Sequence, residues 1–157
     1  MTQARAKQRR RDDPDGRPAA AAYVLEQQVG FLLRCAHQRA SEAFHAVMGP
    51  FGVTPTQFAA LAKLDDLGSV SQNQLGRLTA MDPATISGVI ARLIARGYVA
   101  QAADPKDGRL VALALTATGK AAVTAMKGVA AQVSRRTLAP LSAQEAGALL
   151  KALSKIG

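Results

Sequence analysis

The chain has 157 residues, enough for one domain with a single core and too few for a multidomain enzyme. Apolar residues make up 48% and the formal net charge is +9, so most of the chain should fold and present a cationic surface to a polyanionic partner. The single cysteine, Cys35, excludes an internal disulfide framework, and no Cys/His cluster has metal-ligand spacing. No apolar run spans a bilayer or forms a secretory leader, which points to a reducing cytoplasm.

Residues 1–18 carry Arg5, Lys7, Arg9, Arg10, Arg11 and Arg17 against Asp12, Asp13 and Asp15, without apolar periodicity. They read as a disordered basic arm, either stroking phosphates or merely solubilising the chain. A long helix is expected over 20–48, with Val24, Gln28, Phe31, Leu32, Cys35, Arg39, Phe44 and Val47 at three- and four-residue steps. Gly49, Pro50 and Gly52 end it. Thr54-Pro55-Thr56-Gln57 is a capping box with proline at the first helical position, and Phe58, Leu61, Leu64 and Leu67 form the stripe that follows.

Residues 71–116 read helix, turn, helix, strand, charged tip, strand. Ser71 with Gln74 forms a second capping box, with Leu75 and Leu78 facing inward. Asp82-Pro83 opens the next helix, whose Ile86, Val89, Ile90, Leu93 and Ile94 recur at helical spacing. The opposite face keeps Ala84, Thr85, Ser87, Gly88, Ala91 and Arg92, a small and polar surface that can enter a groove. After Gly97, the strands Tyr98–Ala100 and Leu110–Leu115 flank a tip holding Lys106, Asp107, Gly108 and Arg109. A glycine turn can push Arg109 into a narrow minor groove, with Asp107 orienting its guanidinium. Two helices followed by a basic hairpin predict a mainly α fold with a small β-wing, a winged helix-turn-helix over 54–116 that binds duplex DNA. Ser71, Gln72, Asn73 and Arg77 on the first helix of the pair join the expected DNA-binding set.

The C-terminal third is helical again. Thr116 caps a helix bearing Val123, Met126, Val129, Ala130 and Val133, and the capping box Ser142–Glu145 leads into Leu149, Leu150, Leu153 and Ile156. Helices 20–48 and 117–157 hold more apolar surface than one small module needs. A homodimer is expected from them, because paired recognition helices one DNA turn apart read palindromic half-sites.

These segments together resemble the MarR family of bacterial transcription regulators from Tyr23 onward. The resemblance rests on Leu33-Arg34, Thr54–Phe58, Ser71–Gly76, Thr79–Ile86, Asp104–Arg109 and Leu115–Gly119. It implies a triangular homodimer, a recognition helix from Asp82, and Asp107 with Arg109 as the family's Asp-x-Arg wing pair. It also implies repression relieved by a small ligand. Val29–Arg34, Ser71–Arg77 and Thr79–Asp82 resemble regulators of aromatic-acid catabolism, so the expected effector is an aromatic acid or its CoA thioester. Phe31, Arg34, Cys35, Gln38 and Phe58 are the expected ligand lining, with Arg34 facing a carboxylate or phosphate; core or interface packing is the alternative for each. Gly30 stands where the peroxide-sensing branch has its cysteine, with Arg34 and Pro55 in place of the supporting tyrosines. That favours a buried structural Cys35 over a redox switch. The absence of tryptophan disfavours urate.

Other classes remain to be weighed. No nucleophile elbow, zinc-protease helix, phosphate loop or dinucleotide fingerprint occurs, and His37 and His45 have no carboxylate spaced to orient them, so no enzyme and no cofactor is expected. A constitutive DNA-binding protein without an effector, or a winged helix used for protein contacts, would share the same elements.

Overall fold

The computed structural model describes residues 23–103 and 111–156. Contacts divide the chain within its first long helix, after Arg34. Of the expected arm nothing is described, and Lys106, Asp107 and Arg109 likewise lie outside the described residues.

Up to Arg34, the expected start of the first helix at residue 20 is corrected. A 3-10 turn occupies Leu25–Gln27, Gln28 is extended, and α1 runs over Val29–Met48. Gln28 acts as the hinge: its side-chain Nε2 donates to the Val24 carbonyl at 2.9 Å, and its own carbonyl receives the Leu32 amide. The chain therefore enters helix one turn before Leu32.

From Cys35 onward α1 ends at Met48 in a 3-10 turn, Gly49–Phe51, closed by Gly52 at φ 62°. Thr54 then starts α2 (Pro55–Leu67) through the full reciprocal box with Gln57, and Gln57 is buried as a result. Ser69–Val70 forms β1, a strand too short for its periodicity to be read. Helix α3 (Gln72–Leu78) is capped by Ser71, whose hydroxyl accepts the Gln74 amide; the return bond from the Gln74 side chain is not among the described contacts. Helix α4 spans Pro83–Ala95. Strands β2 (Val99–Ala103) and β3 (Val111–Leu115) pair antiparallel from Val99 opposite Leu115 to Ala103 opposite Val111. β1 adds to the other edge of β3, giving the sheet order β1-β3-β2. Two helices follow: α5 (Ala117–Leu138), capped by Thr116, and α6 (Ala143–Leu153), opened by the Ser142–Glu145 box.

One core joins the end of α1, helices α2 to α5 and the sheet. Leu61, Leu64, Leu75, Ile86, Ile90, Leu93, Leu113, Val123 and Met126 are all essentially inaccessible. At the expected side of ~25 cal/mol per Å2 of apolar surface, such side chains hold α2, α3 and α4 against the sheet and α5. Two inward assignments are corrected: Leu67 and Leu78 are nearly half exposed, since each is the last residue of its helix and points beyond the packed face. Ile94 is also partly exposed, at 37%.

The junction between sheet and α5 depends on a glycine. A β-carbon on Gly119 would overlap the Tyr98 carbonyl. That close approach lets Thr116 donate its hydroxyl to the Gly97 carbonyl at 2.6 Å while accepting the Gly119 amide at 3.0 Å. The wing and α5 are thereby fixed to the same turn.

Candidate nucleic-acid interface

The helix pair is built as a rigid unit. Gly76 in α3 lets Ile86 approach, a β-carbon there falling 3.2 Å from Ile86 Cγ2 and from the Met81 carbonyl. Between the helices Ala80 takes a left-handed conformation, φ 52°, and the Met81 amide returns to the Gly76 carbonyl at 2.9 Å. Asp82 then caps α4: Oδ1 accepts the Thr85 amide at 2.8 Å and Oδ2 accepts the Thr85 hydroxyl at 2.6 Å. The hydroxyl bond, followed by the amide bond, holds the Asp82 carboxyl below its ordinary value of 3.8.

With Ile86, Val89, Ile90 and Leu93 turned into the core, the other side of α4 is open. Ala84, Thr85, Ser87, Ala91 and Arg92 are exposed and Gly88 is half-buried. The Arg92 guanidinium lies 3.8 Å from where a Gly88 β-carbon would be, so the glycine leaves it room beside the helix. On α3, Asn73 and Arg77 are exposed and Ser71 and Gln72 half-buried. Asn73, Gly76, Arg77, Met81, Pro83 and Ile86 line a depression of about 300 Å3 between the two helices.

Sequence reasoning missed two arginines that set this geometry. Arg96, just beyond α4, donates to the Gly52 carbonyl at 2.6 Å and the Phe51 carbonyl at 2.9 Å, with its guanidinium 4.9 Å from the Tyr98 ring centroid. It ties the end of α4 to the turn before α2. Arg39 of α1 donates to the Thr137 and Arg136 carbonyls at 2.9 and 3.2 Å, satisfying the free carbonyls at the end of α5. Neither carried a signal, since nothing in an arginine's sequence neighbours points to a carbonyl tens of residues away.

All five residues of the expected ligand lining lie among the described residues. Arg34 is exposed and stacks on Phe31, 5.2 Å from its ring centroid. Cys35 is exposed, correcting the buried thiol. Gln38 is exposed and contacts Glu42 at 3.5 Å. Phe58 is half-buried on the core, its ring 6.1 Å from Phe44. A second depression, about 250 Å3, is lined by Arg39, Glu42, Ala43, Ala46 and Arg136, and neither depression includes any of the five. Among the described residues no three His, Cys, Asp or Glu side chains gather to hold a metal ion, and no single helix is long and apolar enough to cross a membrane.

A helix pair, an open small-residue face and a three-stranded sheet whose β2–β3 hairpin follows the pair define a winged helix-turn-helix protein. The MarR family pattern matches residues 51–110. The chain is 40% identical over 134 residues to the HTH-type transcriptional repressor NicR of Pseudomonas putida, covering 85% of each. It superposes on a probable transcriptional regulator of Pseudomonas aeruginosa with TM-score 0.81 and 46% identity, over 85% of this chain and 100% of that one. It superposes equally, TM-score 0.81, on Bordetella bronchiseptica BpsR, 38% identical over 87% of this chain and 97% of that one; 6-hydroxynicotinic acid regulates DNA binding by BpsR. The chain belongs to the MarR family and is a transcription regulator of that type.

Proposed function

We propose that the protein is a homodimeric repressor that binds a palindromic operator and is released by a hydroxylated aromatic acid. The observation that carries the reading is the exposed Ala84, Thr85, Ser87 and Arg92 face of α4, held rigidly by a core on its other side. α4 reads bases in the major groove, Asn73 and Arg77 of α3 meet phosphates, and Lys106, Asp107 and Arg109 form the wing contact. Repression is supported by the relative named a repressor, and the effector class by the effect of 6-hydroxynicotinic acid on BpsR. Dimerisation is supported by α6, which has no buried residue and exposes Leu149, Leu150 and Leu153, with Ile156 exposed just beyond it.

Phe31, Arg34, Cys35, Gln38 and Phe58 stay as the proposed effector-responsive residues, with the Arg34 guanidinium taking the carboxylate. The test is a titration of the full-length protein onto its own upstream DNA, followed by 6-hydroxynicotinate, benzoates, hydroxycinnamates and CoA thioesters. Release by one of the free acids supports the reading, and release by a thioester reassigns the effector. A complex that none of them dissociates would favour constitutive binding. Arg109→Ala should weaken the complex by ~1–3 kcal/mol, and Arg34→Ala should leave affinity intact while blunting release. A flat salt dependence would instead mark a protein-binding winged helix, because phosphate contacts release counterions.

A further inference from the structure

Asp82 makes both of its carboxylate contacts with one residue. Oδ1 takes the Thr85 backbone N–H and Oδ2 takes the Thr85 hydroxyl, at 2.8 and 2.6 Å. An ionised carboxylate can only accept hydrogen bonds, so the hydroxyl must be the donor. A carboxyl with an ordinary value of 3.8 is ionised at neutral pH, and this same hydroxyl is the main cause that holds Asp82 below that value. The proton on Thr85 is thus committed to Asp82. What Thr85 turns outward is the lone pairs of Oγ1 and a methyl group.

Thr85 is exposed and lies in the first turn of α4, the part of a recognition helix that contacts base edges. In the major groove adenine and cytosine present an exocyclic amine, a donor, whereas guanine and thymine present a keto oxygen, an acceptor. An unconstrained threonine serves either, because its hydroxyl rotates to suit. We propose that the Asp82–Thr85 bond fixes Thr85 as an acceptor, so that it selects adenine or cytosine over guanine or thymine at one strand position of each half-site. The inference rests on the reading of α4 as the recognition helix.

Asparagine at position 82 supplies the reversal. Its Oδ1 still caps the Thr85 amide, but its Nδ2 becomes a donor to Oγ1, which frees the hydroxyl proton for a keto oxygen. The experiment selects binding sites from a randomised duplex library with full-length wild type, Asp82→Asn, Thr85→Val and Thr85→Ser. Affinities for single-base site variants are then measured by fluorescence anisotropy at one salt concentration. The wild type and Thr85→Ser should prefer an amino base at one position per half-site, by about fivefold, the low end for a base contact. Thr85→Val should lose preference at that position alone, and Asp82→Asn should invert it. A keto preference at the position lost in Thr85→Val, or an unchanged preference in a folded Asp82→Asn, would overturn the inference. Thr85→Val retains the backbone cap and decides alone should Asp82→Asn unfold. Selective binding with every position indifferent to Thr85→Val removes this inference only, whereas no binding to any duplex removes the operator reading as well.

Discussion

The helix pair α3–α4 and the last helix α6 are both amphipathic and both opened by side-chain caps, yet they finish differently. Leu75, Ile86, Val89, Ile90 and Leu93 are buried within the single chain, while α6 buries nothing and leaves Leu150 56% exposed. The same residue type therefore serves two ends: one region closes a fold, and the other leaves apolar surface open, where the proposed homodimer would seat a second copy. A regulator needs this division. In the proposed dimer the reading head keeps its shape alone, and the spacing between two heads would be set by the contact through α6.

The comparison breaks or stands on one pair of substitutions. Leu75→Ala empties a fully buried site and should cost ~2–5 kcal/mol whatever the protein concentration. Leu150→Ala should cost little in dilute solution but lower the melting temperature of concentrated protein and raise the dimer dissociation constant, read by sedimentation equilibrium. Equal, concentration-independent losses would show that α6 closes a monomer core instead.

Gly119→Ala comes next. The added methyl meets the Tyr98 backbone, which cannot rotate away as a side chain can, so the turn joining wing and α5 must shift. A loss of ~1–3 kcal/mol in chemical denaturation is expected. Operator affinity should fall as well, since the strands of the wing start from this turn. Full stability in the variant would show that α5 slides freely on the sheet.

A smaller effect separates the two kinds of helix start. Thr54→Ala removes a reciprocal box beside the buried Gln57 and should cost ~1 kcal/mol, while Ser142→Ala removes the same box from exposed α6 and should cost less. Parallel urea titrations compare them.

Such caps explain why much of the fold was legible. Thr54, Ser71, Asp82, Thr116 and Ser142 each start a helix where the sequence places one, because a cap is a contact over three residues. The apolar spacing of Ile86, Val89, Ile90 and Leu93 likewise identified the buried face of α4. What escaped was non-local or terminal. β1 has only two residues and exists through β3. Leu67 and Leu78 follow the spacing but fall at helix ends, where the packed neighbour has run out. The Arg39 and Arg96 bonds span about a hundred and some forty-five residues, distances over which no local pattern operates. Cys35 likewise follows the helical spacing of its stripe and is nonetheless exposed.

The smallest effect concerns how α2 is held to α5. Lys127 Nζ donates to Asp65 at 2.6 Å and to Asp66 at 2.8 Å. The bond to Asp65, then that to Asp66, raises the lysine above its ordinary 10.5, and the bond to Lys127 lowers Asp66 below 3.8. A depressed carboxyl contributes stability above its unfolded value and loses it as pH falls through the folded one. A raised lysine contributes below 10.5 and loses it as pH rises through its folded value. The tie is thus complete from about pH 4 to 10.5 and absent well outside that window. All three groups reach solvent, so the gain is small and falls with salt. Lys127→Met should melt slightly below wild type at pH 7 in low salt, and the gap should narrow both as pH falls progressively below 3.8 and in 1 M salt. A gap that persists at low pH would mean that the lysine's aliphatic stem, packed along α2, supplies the stability in place of its charge.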